Sequence, residues 1–210
     1  MKIIPTVFSK NKKEFMKRLE LETKISKNIQ IDIMDGKFVK TKSISVTDIP
    51  KLFFYQRTFE AHLMVKNPEK YIDALRERGF GRIIFHYEAV NEKDIPNLYS
   101  NIRKHGMQPV LAISPKTKIE KLKKILPTIN HVLLMSVEPG KEHQKLIPAT
   151  YSRIKSIKNI NPDIKIQIDG GVNEKTELKL KEAGADILNT GSFVANSKNP
   201  LHAIQVLRNV

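Results

Sequence analysis

Eight short runs of aliphatic, largely β-branched residues, spread along 210 residues, constrain this chain more than any other feature. They are Ile3 to Val7, Ile29 to Met34, Phe59 to Val65, Ile83 to Phe85, Val110 to Ile113, Val132 to Val137, Ile164 to Ile168 and Ile187 to Leu188. Their length and branching read as strands. Apolar side chains at successive positions mean that both faces are covered, the mark of a parallel sheet. Between the runs lie longer stretches with helical spacing. Asn67-Pro68-Glu69 and Asn199-Pro200 put a capping residue before a proline at the first helical position. Asn91-Glu92 and Asn173-Glu174 put an Asn cap before an acid that the helix dipole favours. Gly81, Gly106 and Gly184 follow helical stretches, where a left-handed residue is wanted. A further helix is expected around Asp48 to Tyr55. Eight strand–helix units predict an α/β fold, a single (β/α)8 TIM barrel filling residues 1–210 as one domain. An open doubly wound sheet is the alternative; it needs fewer strands, and no G-x-G-x-x-G follows the first run.

Composition narrows the function classes. The chain has no cysteine, which excludes a disulfide scaffold, a thiolate metal site and a cysteine nucleophile. No apolar run approaches the roughly 18 residues of a membrane span. The opening MKIIPTVFSKNKKEF is too short in its apolar part for a signal peptide, so a cytoplasmic location without a membrane partner is expected. The formal net charge of +15 invites a nucleic-acid reading. Lys and Arg are scattered, however, at positions such as Lys12, Lys13, Lys17 and Arg18. Tryptophan is absent and aromatic residues are only 7%, a poor stacking platform for single strands. A solvated basic surface, with no nucleic-acid partner, is the expectation. Such a surface would also draw a small anion, with capture weakening as salt rises.

In a barrel of this kind the active site lies at the C-terminal ends of the strands. Polar residues end the apolar runs: Thr6, Asp32 with Asp35, His62, His86 with Glu88, Ser114, Ser136 with Glu138, Asp169, and Thr190 with Ser192. Carboxylates and imidazoles near a core are costly unless paired or bound to metal. Each has a plain structural alternative: a turn or cap for Asp32 or Asp35, a satisfied core histidine for His62, an Asp-Gly turn for Asp169-Gly170-Gly171. Together at one mouth, Asp32, His62 and Asp169 suit another task. Two carboxylates across a bound substrate can take a proton from a carbon next to a carbonyl and return one to the opposite face. A divalent metal held by Asp, His and Asp would supply the electrophile for the enediolate between. Gly170-Gly171 and Gly191-Ser192 follow the seventh and eighth runs, where many barrels bind phosphate through bare backbone N–H groups. Helix capping by Asn173 and Ser192 is the alternative there.

The segments Ile-Asp-Ile-Met-Asp-Gly (31–36), Phe38-Val39, His62-Leu63-Met64-Val65, Phe85-His86-Tyr87-Glu88-Ala89, Met135-Ser136-Val137-Glu138-Pro139-Gly140, Ile168-Asp169-Gly170-Gly171-Val172 and Gly191-Ser192 carry a resemblance. In their order and spacing the chain resembles the ribulose-phosphate 3-epimerase family over nearly its whole length. The resemblance implies a (β/α)8 barrel that interconverts ribulose 5-phosphate and xylulose 5-phosphate, an isomerase of the pentose phosphate pathway. It implies Asp32 and Asp169 as the catalytic acid/base pair and as ligands of one divalent metal, with His62 as a further ligand. Zn, Fe, Mn, Co and Mg are not told apart. It implies that Thr6, His62, Met34, Met64 and Met135 touch substrate, the thioethers shielding an enediolate from water without competing for metal. It implies that Gly140, Gly170, Gly171, Gly191 and Ser192 hold the substrate and its phosphate.

Departures from the family pattern qualify this. Gln30 stands where the family has a histidine ligand two residues before the first catalytic aspartate. As a fourth ligand it would offer a neutral amide oxygen, weaker for zinc than imidazole. After Pro139-Gly140 a Phe-Gly-Gly-Gln run is replaced by Lys141-Glu142-His143-Gln144, which makes Lys141 and His143 candidate phosphate contacts. Lys40-Thr41 replaces Pro-Asn after Phe38-Val39. An epimerase of another ketose phosphate, such as a hexulose 6-phosphate, and a non-catalytic sugar-phosphate binder with part of the metal site lost are the alternatives. A homo-oligomer is compatible with either.

Overall fold

The strands close into a barrel in chain order: β1 (Lys2–Val7), β2 (Asn28–Met34), β3 (Thr58–Met64), β4 (Arg82–His86), β5 (Gln108–Ile113), β6 (His131–Met135), β7 (Lys165–Asp169) and β8 (Ile187–Thr190). The computed structural model describes residues 1–208. Each expected strand is present within a residue or two of its apolar run. Cover on both faces is evident in β5 and β6, where Leu111, Ala112, Ile113, Val132, Leu133 and Leu134 are fully buried. Among the described residues no helix is long and apolar enough to cross a membrane.

Residues 5–111 form one compact unit, and residues 1–4 with those from 112 onward form another. In the first, β2 and β3 run parallel with Asn28 opposite Thr58 and Met34 opposite Met64. Glu60 faces Arg82 across β3 and β4 and pairs with it at 2.8 Å. In the second, β6 and β7 pair from His131 opposite Lys165 to Met135 opposite Asp169, and Asp169 lies opposite Asn189 of β8.

The helices are α1 (Lys12–Ile25), α2 (Ile72–Arg78), α3 (Ile95–Lys104), α4 (Ala149–Ile160), α5 (Glu177–Ala183), α6 (Ser192–Ala195) and α7 (Pro200–Arg208). α1 starts on Asn11, whose side chain accepts from the Glu14 N–H at 2.9 Å. Two connections depart from the expected strand–helix repeat. Around Asp48 to Tyr55 there is no α-helix but two 3-10 turns, Val46–Asp48 and Leu52–Tyr55. Pro50 explains the break: it lacks an N–H and forces Ile49 into extended backbone. Between β5 and β6 the chain again makes only 3-10 turns, Ile119–Leu122 and Leu126–Thr128. There Pro127 cannot extend the preceding ladder.

The start signals are realised unevenly. Asn199 Oδ1 accepts from the His202 N–H at 3.1 Å and starts α7 as expected. Asn67 and Asn91 make no side-chain capping bond and open 3-10 turns instead. Asn173 Oδ1 accepts from the Lys175 N–H, a local turn, and α5 begins only at Glu177. Gly184 ends α5 and Gly106 follows α3, both with positive φ. The residue that ends α2 is Gly79 rather than Gly81.

Candidate active site

On β2, Gln30 and Asp32 are two residues apart and therefore share a face. His62 is opposite Asp32 in register, and Ile84 opposite His62. His86, two residues beyond Ile84, shares that face. Side-chain contacts join these residues. Gln30 Nε2 donates to Asp32 Oδ1 at 2.9 Å and stands 3.4 Å from His62 Nδ1. His62 Nδ1 lies 3.1 Å from Asp32 Oδ1, and His62 Nε2 lies 3.0 Å from His86 Nε2. His86 Nδ1 reaches Glu88 Oε2 at 3.3 Å. Gln30, His62 and His86 are fully buried, while the Asp32 side chain keeps 14% of its exposure. The two imidazoles stack at 5.1 Å, with the Phe38 ring 4.8 Å from His86. Thr6 is opposite Gln30, and its buried Oγ1 has no hydrogen-bond partner. Met34 and Met64 are buried side by side in register.

Asp35 takes its plain structural reading. It accepts the backbone N–H groups of Lys37, Phe38 and Lys66 at 2.7, 2.9 and 2.9 Å. Burial by itself would raise its pKa, but these donors outweigh it and hold the carboxyl below the usual carboxylate range. The residue fastens the turn after β2 to the one after β3.

In the second unit Asp169 ends β7, partly buried, with the buried Met135 opposite. Here the contacts run to backbone. Ser136 Oγ donates to the carbonyls of Asp169 and Gly170, and the Ser136 N–H also reaches the Asp169 carbonyl at 2.9 Å. Gly171 has φ +65°, and a Cβ there would come within 2.5 Å of the Leu146 backbone nitrogen. Gly170 is likewise closed to a side chain, by Val137. Gly191 and Ser192 begin the one-turn helix α6. Lys141 and His143 are exposed, His143 with φ +60°. Gln144, not singled out from the sequence, is the loop's organiser: its Nε2 donates to the Glu138 and Lys141 carbonyls at 2.6 and 2.9 Å. Also unforeseen are the buried Gln167 and Asn189, joined at 2.8 Å, and the contact of His86 with His62. For Gln167 the available signal was its place two residues before Asp169 on a buried strand.

Asp32, His62 and Asp169 each offer a ligand atom, and these atoms lie within 4.8 Å of one another. Two carboxylates and an imidazole form a donor set that fits a divalent cation. The imidazole atom on offer is Nδ1, since Nε2 faces His86. Gln30 presents its amide nitrogen to Asp32; to act as a ligand the amide would have to turn over.

Comparison with known proteins bears on what this arrangement does. A family model described as the ribulose-phosphate 3 epimerase family matches residues 2–195. The chain is 37% identical to ribulose-phosphate 3-epimerase of Chlamydia pneumoniae over 182 residues, covering 83% of this chain and 79% of the relative. It is 31% identical to that of Schizosaccharomyces pombe over 185 residues, 86% and 80% of the two chains. The Helicobacter pylori relative is 29% identical over 215 residues, 100% and 98% of the two. Among solved structures, a 3-hexulose-6-phosphate synthase superposes with TM-score 0.73 at 15% identity, over 99% of this chain and 98% of that one. An orotidine 5'-phosphate decarboxylase from Pyrococcus horikoshii gives TM-score 0.65 at 15% identity, over 99% and 100%. At such identities these two speak to the barrel alone.

Proposed function

Given that the chain belongs to the ribulose-phosphate 3-epimerase family, an isomerase class, we propose that it interconverts D-ribulose 5-phosphate and D-xylulose 5-phosphate by inverting carbon 3. The observation that carries this reading is the grouping of Asp32, His62 and Asp169, with their ligand atoms within 4.8 Å. One aspartate removes the C3 proton from one face of the substrate, and the other delivers a proton to the opposite face. The proton lost and the proton gained balance, so the product differs only in configuration. Gln30 holds the Asp32 carboxylate by its 2.9 Å hydrogen bond and so fixes the direction from which it reaches C3. A divalent cation bound by Asp32, His62 and Asp169 would supply positive charge beside the oxygens of the enediolate. Gln30 is the reserve ligand of that set. The buried thioethers of Met34, Met64 and Met135 keep water from the enediolate.

Thr6 is assigned a substrate contact on its buried, unpartnered hydroxyl. The substrate's phosphate is assigned to Gly140, Gly170, Gly171, Gly191 and Ser192, with Lys141 and His143 adding charge from the loop. Support for this comes from Gly170 and Gly171, whose backbone is kept bare by neighbours that admit no Cβ. The test is exchange of the C3 hydrogen of ribulose 5-phosphate in heavy water, followed by NMR with Mg, Mn, Fe, Co or Zn added in turn. Incorporation of deuterium at C3 with formation of xylulose 5-phosphate is expected. Folded protein that exchanges nothing with any of these metals overturns the proposal, and exchange only with a hexulose 6-phosphate moves it to that substrate.

A further inference from the structure

The loop from Glu138 to Ile147, between β6 and α4, carries Lys141 and His143, both assigned above to the phosphate. Gln144 of the same loop has no part in the chemistry described so far. We propose that Gln144 is a positioning residue for the substrate's phosphate: it fixes the backbone from which Lys141 reaches that group. This rests on the function proposed above, which takes Lys141 as a phosphate contact.

Gln144 is half-buried, and its amide bonds across the loop. Nε2 donates to the Glu138 carbonyl at 2.6 Å and to the Lys141 carbonyl at 2.9 Å. A carbonyl only accepts, so the amide must turn its NH2 group toward the pair, and each of its two N–H donors has one partner. Holding the Lys141 carbonyl fixes the peptide plane between residues 141 and 142. With that plane fixed, so is the direction in which the Lys141 side chain leaves the loop. Lys141 is exposed and makes no side-chain hydrogen bond or ion pair among the described residues, so its backbone is what aims it. His143, next to Gln144, sits at φ +60°, a conformation that a residue with a Cβ keeps only where its surroundings impose it.

Three other ties hold this loop, and they do different work. The Ile147 N–H donates to the Ser136 carbonyl at 2.8 Å, which closes the loop at its base. The Leu146 backbone lies against Gly171, which sets the loop's exit beside the glycine pair assigned to the phosphate. Lys116 meets the Glu138 carboxylate at 3.3 Å, an exposed ion pair of little worth. Of these four ties only the Gln144 amide reaches Lys141. It joins the exit of the loop, held against Gly171, to the residue that carries the charge.

The test is a double-mutant cycle read by binding and by kinetics, at one low ionic strength because the contact is charged. Calorimetry with inorganic phosphate and with ribulose 5-phosphate gives the affinities, and circular dichroism confirms folding. Gln144→Met keeps the length of the side chain and removes both donors. It is expected to weaken both ligands about tenfold, the size of one charge-assisted hydrogen bond, and to raise KM alike with kcat within about twofold. Lys141→Ala, an exposed change that leaves the fold alone, should weaken them by the same factor. Gln144→Met with Lys141→Ala should be no worse than either alone, because Gln144 acts through Lys141. Gln144→Met binding phosphate as tightly as the wild type, or losses that multiply in the double variant, overturns the inference. A wild type that binds neither ligand overturns it together with the phosphate assignment. Failure of the functional reading alone looks different: the cycle comes out as expected, but the wild type does not exchange the C3 hydrogen.

Discussion

At the ends of β2, β3 and β4 the polar contacts run from side chain to side chain: Gln30 to Asp32, Asp32 to His62, His62 to His86, His86 to Glu88. At the ends of β6 and β7 Ser136 bonds to backbone carbonyls, beside two glycines whose neighbours leave no room for a Cβ, and the side chain-to-side chain contact there, Gln167 with Asn189, joins two neutral amides rather than ionisable groups. Under the function proposed above, the difference matches two tasks. Moving a proton demands ionisable groups held at fixed directions, and only side chains titrate. Holding an anion asks for backbone N–H groups approached closely, which side chains obstruct.

Asp169 is the exception in the second region, a carboxylate among backbone contacts, and it gives the sharpest way to break the comparison. If it is one half of an acid/base pair, Asp169→Asn and Asp32→Asn should each slow C3 exchange by about 10²–10⁴-fold with the fold unchanged. The measurement is deuterium incorporation by NMR. Intact turnover in Asp169→Asn would reduce the second region to anion binding alone.

A second contrast lies on the outer helices, where each unit buries one carboxyl. Glu22 of α1 is 1% exposed, and its Oε2 has no partner. Burial pushes its pKa from 4.5 up to about 8, against the pull of Arg18. In Glu177 of α5 burial also raises the pKa, against Lys181 and the amino terminus. A carboxyl with a raised pKa keeps its proton in the folded state after the unfolded chain has lost it. Folding stability therefore falls as pH rises from about 4.5 to about 8 and is level above that. Each pKa unit is about 1.4 kcal/mol, so Glu22 costs on the order of several kcal/mol at alkaline pH. Urea unfolding should show Glu22→Gln gaining on the wild type across that range, and Glu177→Gln gaining less. Parallel pH profiles for wild type and Glu22→Gln would refute this.

Glycines allow a smaller comparison. Gly171 has φ +65° and meets the Leu146 backbone, whereas Gly36 of the first unit has φ +76° and only an ordinary 3.7 Å contact to Lys42 Cβ. Gly171→Ala should cost about 1–3 kcal/mol from strain and clash. Gly36→Ala should cost about 1 kcal/mol, since only its backbone objects. The same Gly171 variant should raise KM for the sugar phosphate while Gly36→Ala does not. Equal losses of stability would mean that Leu146 gives way.

Much of this was legible in the sequence. The strands were, because apolar cover on both faces is written residue by residue, and their polar ends named Asp32, His62 and Asp169. The helices between β2 and β3 and between β5 and β6 were not: the register of apolar residues there suits a 3-10 turn as well as an α-helix, and the prolines decide. Gly81 follows a helical stretch and so reads as its left-handed end, but the left-handed residue ending α2 is Gly79. The contact from His62 to His86 was hidden for another reason. Each was visible as a strand-end histidine, but their separation depends on the stagger between β3 and β4, which no local pattern encodes.

The smallest expected effect concerns two threonines. Thr6 on β1 and Thr190 on β8 are both buried, and both hydroxyls have no hydrogen-bond partner. An unpaired buried hydroxyl is a cost that a methyl of the same shape removes, so Thr→Val at either position should leave stability unchanged or raise it by up to about 1 kcal/mol. The two should part company in kinetics. Thr6 is opposite Gln30 and assigned to substrate, so Thr6→Val should raise KM by about three- to tenfold, the loss of one neutral hydrogen bond. Thr190→Val should leave KM alone. A higher KM in both variants would extend the substrate contact to β8, and no change in either would make the Thr6 hydroxyl a packing group whose unpaired oxygen the barrel tolerates.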